Sequence, residues 1–488
     1  MSNNLKYYVD KFNSNDNESV INLISNKNAY KFLSENAPIL TCPDKDIEET
    51  FAFRTWVFRK HLKETEDGLV ITEFLPNVPW AGKHNTINAP LFFHLNEGRW
   101  FKNASNFLSY PKFFLNQNGN AYDYTTPALT AIVKFFKNCD NIEYLLKNIN
   151  TVQGYYDGWD LRYKLKNGLY KSNDGIDAME LSISGRSVDG NTRYEGIRPT
   201  LNTYMYLDTL TLASLYKLLG DKANYDKYKN RANELKNLIN TCLYDGDFYK
   251  AIHLPNEQDL EGEISCKDIL PENNVRELIG FIPFKTDIVS EDKLSALKYL
   301  FSEKHFLAPN GFTTADIENE RFLYNHPHEC KWNGYVWPFA TSQVIESLIE
   351  VYKNYGENYL SSNDLYSSIK TYAKMHYLYK EDKKVNWIDE VMHPFEPKWT
   401  AREQLLSINP TDERGKDYNH SSFIDLVIRG LIGVNDDFDN LTVTPTVLDK
   451  WDYFRLENLN FKGKSYTIIY DKTGTHFNEG KGITIIEQ

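Results

Sequence analysis

The chain has 488 residues, of which 41% are hydrophobic and 25% charged, a composition typical of a globular protein with one large domain or a few average ones. Its net charge of −12 argues against nucleic acid as a partner, because phosphate binding needs clustered Lys and Arg. The sequence contains no apolar run that approaches a membrane span and no signal pattern at its start, so we expect a cytoplasmic protein without a membrane partner.

Helical periodicity dominates most of the chain. We predict helical structure over residues 1–37, and then an irregular region over 48–110 that is rich in Trp, His, Asn and Gly. Pro127 opens the next helix, and Pro199 opens another that ends at Gly220, which is the usual asymmetry of helix ends. Further helices are predicted over 222–244, 289–303, 338–355, 362–381 and 420–433. So many helices with few strand signals before about residue 436 indicate a large all-α domain.

The last 50 residues have a different pattern. LTVTPTV, YFRLENLNF and SYTIIYD alternate apolar and polar residues, and Gly463 and Gly474 punctuate them. This alternation predicts a small antiparallel β unit. We therefore predict a helical catalytic domain over 1–435 and a β unit over 436–488 that packs on it as a structural cap.

Three stretches combine carboxylates, Trp and Gly in irregular backbone. They are DGIDAMELSISG (174–185), KWNGYVWP (331–338) and WIDEVMHPFEPKW (387–399), the last followed by YNHSSF (418–423). If paired helices closed into a ring, an (α/α)6 barrel, the loops between them would converge on one mouth. Periodicity alone does not establish that ring.

Cleavage of a glycosidic bond needs two carboxyl groups, one that protonates the leaving oxygen and one that activates water or attacks the anomeric carbon. The acid must hold its proton near neutral pH, which a desolvated setting favours. Glu180 has apolar neighbours, and Glu390 follows Trp387 by three residues. From local chemistry alone, Asp177 and Asp389 compete equally for these two roles.

The order and spacing of these motifs resemble the clan of inverting α-glycosidases that holds trehalases, glycoside hydrolase family 63 and mannosylglycerate hydrolases. Those enzymes carry the acid in an S-G-M/W-D-x-S loop, a W-x-G-P-x-W-P loop, and the base in an E-x-x-x-P segment. The resemblance implies that Glu180 is the acid and Glu390 the base. It also matches Trp332, Gly334, Trp337 and Pro338 to the middle loop.

The chain resembles bacterial mannosylglycerate-hydrolase-like domains more closely still, over about residues 50–480. The shared motifs are EFLPxVxWAGKxNTI, HxxEGRW, DGMExSISG, RPTxNSYMY and YNHSxF, at 73–87, 94–100, 174–185, 198–206 and 418–423. This resemblance implies an all-α (α/α)6 toroid of the six-hairpin glycosidase type. It also implies inverting hydrolysis of an α-glycosidic bond in a small saccharide or glycoside, with the two carboxyl groups about 6.5–9.5 Å apart.

The sequence departs from the clan pattern at two positions. Glu180 stands where trehalases have Asp, and Tyr335 replaces the Pro of W-x-G-P. The first departure keeps Asp177 as a reserve candidate for the acid.

Other polar and aromatic residues near these motifs are candidates for substrate binding, since Trp stacks on sugar rings and polar groups bond their edges. They are Arg54, Trp56, Trp80, Asn85, His94, Glu97, Arg99, Trp100, Arg186, Arg198, Asn202, Trp332, Gly334, Trp337 and His420. Arg198 equally suits a structural ion pair, and His420 a structural role. The sequence shows no cluster with metal-ligand spacing, so we predict no cofactor and no catalytic metal and leave a structural Ca²⁺ open.

Two alternatives to hydrolysis remain. A phosphorylase on the same toroid would use one carboxyl and phosphate, although we find no convincing phosphate-binding cluster in the sequence. A non-catalytic carbohydrate-binding protein would not need both glutamates in their expected contexts. The sequence does not specify the sugar, the aglycone or the oligomeric state.

Overall fold

The computed structural model describes residues 4–254, 274–380, 383–436 and 440–488. Its α-helices are α1 (Leu5–Ser14), α2 (Asn26–Asn36), α3 (Lys45–Lys60), α4 (Leu91–Gly98), α5 (Ser109–Leu115), α6 (Ala128–Asn138), α7 (Ile142–Lys147), α8 (Ile149–Tyr163), α9 (Pro199–Leu218), α10 (Lys222–Cys242), α11 (Leu297–Leu300), α12 (Pro338–Tyr355), α13 (Ser362–Lys374), α14 (Thr400–Ile408) and α15 (Ile424–Gly430). A buried 3-10 segment spans Leu278–Lys285. The protein is thus helix-rich, as predicted.

The strands are short and form small antiparallel sheets. They are β1 (Ile39–Thr41), β2 (Leu62–Thr65), β3 (Gly68–Ile71), β4 (Lys171–Ser172), β5 (Gly196–Ile197), β6 (Ile252–His253), β7 (Leu307–Ala308), β8 (Gly311–Phe312), β9 (Tyr377–Lys380), β10 (Lys383–Asn386), β11 (Val434–Asn435), β12 (Thr442–Val443), β13 (Tyr453–Phe461), β14 (Lys464–Asp471) and β15 (Gly482–Glu487). Of these, β4, β5 and β6 form a three-stranded sheet beside the 174–185 loop, and β5 leads directly into α9.

Six helical segments contact one another in a closed cyclic order. Helix α4 packs on α6, α6 on α9, α9 on the 3-10 segment, that segment on α12, α12 on α15, and α15 back on α4. Helix α10 packs along α9, and α13 packs along α12. Because most side chains of these six segments are buried, the core lies between them and the helices around them.

Several predicted helices match the structure closely. Helix α6 follows Pro127, α9 begins at Pro199, and Gly220 beyond its end has φ +73°, a conformation that favours glycine. The predictions over 222–244 and 338–355 correspond to α10 and α12.

The prediction of irregular backbone over 48–110 is wrong in part, because this region contains most of α3 and all of α4. Nearly every side chain of these two helices is buried, so neither shows the polar face that gives a helical pattern. The segment 289–303 is a 3-10 helix, Glu291–Ala296, followed by the short α11. The segment 362–381 is α13 followed by strand β9, which pairs with β10.

The C-terminal residues form antiparallel strands, as predicted. The order of the four-stranded sheet is β1-β13-β14-β15, so a strand from the N-terminal region completes its edge. Ile39 pairs with Glu457, and the Asn458 side chain donates to the carbonyls of Ser34 and Ala37 at 3.0 and 3.3 Å. The boundary at residue 436 stays a prediction. Among the described helices, none combines the length and apolar character that a bilayer span needs.

Candidate active site

A cavity of about 320 Å³ lies among the loops that lead into α4, α6, α12 and α15. Its lining residues are Glu73, Phe74, Trp80, Ile87, Ala89, Tyr124, Ala178, Glu180, His328, Glu329, Cys330, Trp337, Glu390, Arg414 and Tyr418. Its size is at the lower end of the range of small-molecule sites. The cavity therefore brings the three predicted motif stretches together at one end of the helical segments.

Glu180 projects from a tightly wound loop. Ala178 and Leu181 on either side of it have φ +54° and +67°, which is unusual for residues with side chains. The Asp174 carboxylate holds the turn, accepting from the Leu181 N–H at 2.8 Å and from Arg186 Nε at 2.5 Å. Such strain persists only where surrounding contacts enforce it, and it is often found at functional sites.

Asp177, the reserve candidate for the acid, has a different environment. It is fully buried and lies outside the cavity lining. Its carboxylate accepts from Arg198 Nε at 2.6 Å, from Thr200 Oγ1 at 2.8 Å and from Thr125 Oγ1 at 3.2 Å. These contacts make Asp177 and Arg198 an anchor between the loop and the start of α9.

Glu390 also lines the cavity and is 2% exposed. Its Oε2 accepts from the Cys330 thiol at 3.4 Å. The neighbouring Asp389 accepts from the Glu390 N–H at 2.8 Å and from Trp387 Nε1 at 3.2 Å, and it lies outside the lining. Asp389 therefore supports the turn, while Glu390 contributes to the cavity wall.

The 331–338 segment connects the two glutamate loops. The Trp332 N–H donates to the Glu180 carbonyl at 3.1 Å. Val336 and Met392 exchange two backbone hydrogen bonds, at 3.0 and 2.9 Å. Although Glu180 and Glu390 are far apart in the sequence, a few residues of backbone fix one loop relative to the other.

Desolvation dominates the electrostatics of both glutamates. Burial raises the pKa of Glu180 to about 7, and Asp174 adds to this effect while Arg193 opposes it. Burial raises the pKa of Glu390 to about 8, with Arg414 opposing. Both groups thus exchange protons near neutral pH, as an acid/base pair must, but burial alone does not distinguish donor from acceptor.

Four predicted residues, Trp80, Glu180, Trp337 and Glu390, lie in the cavity lining. Others lie directly behind it. The Trp332 ring stacks on that of Trp337 with their centroids 4.5 Å apart, and the His420 ring stacks on that of Tyr418 at 3.5 Å. Gly334 has φ +122°, and a β-carbon there would lie 2.4 Å from the Phe322 ring, so this position requires glycine.

The remaining predicted binding residues lie outside the lining and make internal contacts within the described part of the chain. Arg54 donates to Tyr372 and Ser421, Trp56 to Asn13, and Arg99 and Trp100 to Asp425. Asn85 bonds the backbone of Phe74, Pro76 and Val78, while Asn202 bonds that of Tyr170. His94 pairs with Tyr110 and the Asn419 carbonyl. Their role in substrate binding stays a prediction.

Glu97 shows what these contacts do. Its carboxylate accepts from the backbone N–H groups of Phe423, Ile424 and Asp425 at 3.1, 3.2 and 2.8 Å, at the start of α15. N–H groups at a helix start have no partner within the helix, and a carboxylate there is favourable. Glu97 thus joins α4 to α15.

Sequence reasoning missed Glu73, Tyr124, Cys330, Arg414 and Tyr418 in the lining. Glu73 begins the EFLPNVPWAG motif and Tyr418 begins YNHSSF, so both motifs carried a signal. Arg414 lies in a polar stretch without a motif. It pairs with Glu329, and its guanidinium lies 5.0 Å from the centroid of the Trp80 ring.

Two groups of described side chains bring possible metal ligands within 4.8 Å of one another. One is His328, Glu329 and Cys330 at the cavity, and the other is Glu66, Asp67 and His84 nearer the surface. In the first group, burial and the nearby Glu390 raise the pKa of the Cys330 thiol well above its usual value. The expectation of no catalytic metal stays a prediction.

Comparison with known proteins adds a family to this geometry. The model of the mannosylglycerate hydrolase MGH1-like glycoside hydrolase domain matches residues 83–421. A solved structure described as a sialidase is 29% identical over 99% of this chain, with a TM-score of 0.88. This chain spans only 43% of that sialidase chain.

Two more distant structures share the fold alone. The GH63 mannosylglycerate hydrolase from Thermus thermophilus, solved in complex with glucose, is 14% identical, with a TM-score of 0.51 over 78% of this chain and 99% of that one. The GH78 family rhamnosidase of a Bacillus species is 13% identical, with a TM-score of 0.56 over 89% of this chain and 40% of that one.

Proposed function

The chain belongs to the family of mannosylglycerate hydrolase MGH1-like glycoside hydrolase domains, and from this premise we propose that it hydrolyses an α-glycosidic bond of a small saccharide or glycoside with inversion. Glu180 is the general acid and Glu390 the general base. The observation that carries the proposal is that these two glutamates line the same cavity.

The proposed architecture is an (α/α)6 toroid. The closed order of contacts among α4, α6, α9, the 3-10 segment, α12 and α15 supplies six inner elements for such a ring. Helices α10 and α13 pack along α9 and α12 as outer partners would. The loops that line the cavity lie at the starts of four inner elements, where the mouth of the ring is expected.

The reaction proceeds in one displacement. Glu180 donates its proton to the glycosidic oxygen, and Glu390 removes a proton from a water that attacks the anomeric carbon from the opposite face. Inversion needs room for that water, so the two carboxyl groups are expected to lie about 6.5–9.5 Å apart. Trp80 and Trp337 offer aromatic surface to the sugar, of which Trp80 is 39% exposed.

Assignment of the two roles rests on motif position, because burial raises the pKa of both groups. Neighbouring charges do not decide the roles either. Arg414 lowers the pKa of Glu390 and Asp389 raises it, while Asp174 raises the pKa of Glu180 and Arg193 lowers it. The Cys330 thiol donates to Glu390 Oε2.

Leaving-group dependence tests the roles. The substrates are aryl α-glucosides, α-mannosides and α-galactosides with leaving groups of different pKa, together with trehalose and glycosyl-glycerates. Glu180→Gln is expected to lose about 10²–10⁴-fold in turnover of poor leaving groups and much less with activated aryl glycosides. Glu390→Gln is expected to lose turnover of both, and azide is expected to restore part of it as a glycosyl azide.

The stereochemistry and the co-substrate complete the test. NMR of the first-formed sugar is expected to show the β-anomer from an α-linked substrate, and turnover is expected to be independent of added phosphate. Turnover only with phosphate would make the protein a phosphorylase. If both glutamine variants keep near wild-type turnover, the two-glutamate assignment is wrong.

A further inference from the structure

The cavity contains a third carboxyl that the two-glutamate reaction does not use. Glu73 is 4% exposed and lines the cavity together with Glu180 and Glu390. Burying an ionisable group without a counter-ion costs stability unless the group is hydrogen-bonded or neutral. The hydrogen bonds and the charge of Glu73 therefore decide what this carboxyl can do in the cavity.

The carboxyl is held firmly on one side only. The Tyr418 hydroxyl donates to Glu73 Oε1 at 2.5 Å, and the Asn419 N–H donates to the Glu73 carbonyl at 3.1 Å. The Tyr418 ring is itself fixed between Phe74, 4.7 Å away, and His420, 3.5 Å away, measured between centroids. Within the described part of the chain, Oε2 makes no hydrogen bond, so this oxygen is available at the cavity wall.

Charge makes the group suitable for binding a neutral polyol. Within the described residues, Glu73 forms no salt bridge with Lys, Arg or His. Burial raises the pKa of Glu73 to about 8, Glu180 adds to this effect, and the bond from Tyr418 opposes it. With Oε1 engaged as an acceptor, a protonated Oε2 can both donate to and accept from a sugar hydroxyl.

We propose that Glu73 is a specificity-determining residue that binds one hydroxyl group of the sugar in the cavity through Oε2, while Tyr418 fixes Oε1. This inference rests on the proposed function in one respect: the cavity is taken to hold the sugar of the substrate. The sugar hydroxyl is thus read by a carboxyl that is separate from the acid and the base.

Two substitutions separate a hydrogen-bonding role from a packing role. Glu73→Gln keeps the shape and one donor, whereas Glu73→Leu keeps the volume and removes both donor and acceptor. Losing a hydrogen bond within a desolvated site is expected to raise KM about 10-fold or more for the Leu variant. The Gln variant is expected to stay within about threefold of wild type.

Monodeoxy substrates supply a thermodynamic cycle. For wild type and Glu73→Gln, removal of one particular hydroxyl is expected to raise KM by about the same factor as Glu73→Leu does. For Glu73→Leu, removal of that hydroxyl is expected to change KM less than twofold. Equal losses for wild type and Glu73→Leu with every monodeoxy sugar, or an unchanged KM for Glu73→Leu, would overturn the proposal.

Binding measurements keep this test separate from the reaction. Titration calorimetry with D-glucose, D-mannose and D-galactose compares Kd for wild type, Glu73→Gln and Glu73→Leu, and thermal unfolding checks that each variant is folded. If the glutamine variants of Glu180 and Glu390 remain active, the proposed reaction fails, yet a 10-fold higher Kd for Glu73→Leu still supports this role. If Glu73→Leu does not fold, a loss of affinity in Glu73→Gln as large as that expected for Leu contradicts it.

Discussion

The buried pair of Asp177 and Arg198 offers the sharpest test of which carboxyl on the 174–185 loop acts on substrate. Asp177→Asn keeps the shape of the side chain and removes its charge, which leaves the Arg198 guanidinium buried without its hydrogen-bonded anion. Removing one partner of a buried ion pair costs about 3–5 kcal/mol. Glu277 also lies within electrostatic reach of Arg198, so we expect the lower end of this range.

The expected change in Tm follows from the size of the protein. An unfolding entropy of about 2.1 cal/mol/K per residue gives about 1 kcal/mol/K for 488 residues, so a loss of about 3 kcal/mol lowers Tm by about 3 °C. Taking both charges out of water offsets much of their attraction, so replacing both members of a buried ion pair by uncharged groups is often close to neutral. The double variant Asp177→Asn/Arg198→Met is therefore expected to recover much of the loss.

Thermal unfolding and initial rates are measured on the same samples, well below Tm. Asp177→Asn is expected to unfold earlier but to keep turnover within about 10-fold of wild type. Glu180→Gln is expected to do the reverse, losing about 10²–10⁴-fold in rate with an unchanged or higher Tm. If Asp177→Asn keeps the wild-type Tm and loses as much turnover as Glu180→Gln, Asp177 is the acid and the anchor interpretation is wrong.

Three further predictions concern the cavity and the segment behind it. Burial raises the pKa of Glu390 from 4.5 to about 8, so the folded state binds this proton more tightly than the unfolded state and loses stability as pH rises between those values. Glu390→Gln is therefore expected to raise Tm at pH 8 and to change it little at pH 4.5; equal shifts at both would contradict this. Gly334→Ala is expected to cost about 2 kcal/mol or more and most of the turnover, because its φ is +122° and its β-carbon would meet Phe322, whereas Gly154→Ala in α8, with nothing within 4 Å, is expected to be neutral or stabilising in denaturant unfolding. Arg414→Met removes a cation that favours ionised Glu390, so the limb of the rate–pH profile that reports Glu390 is expected to move to higher pH, with Arg414→Lys moving less; an unmoved limb would exclude this coupling.

Amphipathic helices could be predicted from the sequence, and so could the fully buried α15, but the buried helices α3 and α4 could not. Helix α10 buries Tyr228, Ala232, Leu235 and Ile239 at three- and four-residue spacing, and its other faces reach solvent. Such a pattern is visible without any structure. Helix α3 buries charged and apolar side chains alike, so its sequence has no periodic contrast and resembles an irregular loop.

Sequence composition also leaves the roles of the site residues open. The prediction that Arg54, Glu97 and Arg99 bind sugar depends on the polar and aromatic residues that cluster around them, a composition that also suits the contacts between buried helices. In the structure these side chains satisfy buried backbone groups and carboxylates. Sequence composition does not distinguish a polar group aimed at a ligand from one aimed at a neighbouring helix.

The departure from the W-x-G-P pattern shows how the 331–338 segment keeps its form without proline. Thr314 holds the backbone of Gly334 and Tyr335 from two directions, because its N–H and Oγ1 lie 3.1 and 2.9 Å from the Tyr335 carbonyl, and Oγ1 accepts from the Gly334 N–H at 3.0 Å. Proline would restrict this backbone covalently, and here hydrogen bonds restrict it instead. Four residue steps separate Trp332, bonded to the loop of Glu180, from Val336, bonded to that of Glu390, a span of at most about 14 Å. The gap between the two glutamate loops is therefore limited by a short piece of backbone that hydrogen bonds hold in place.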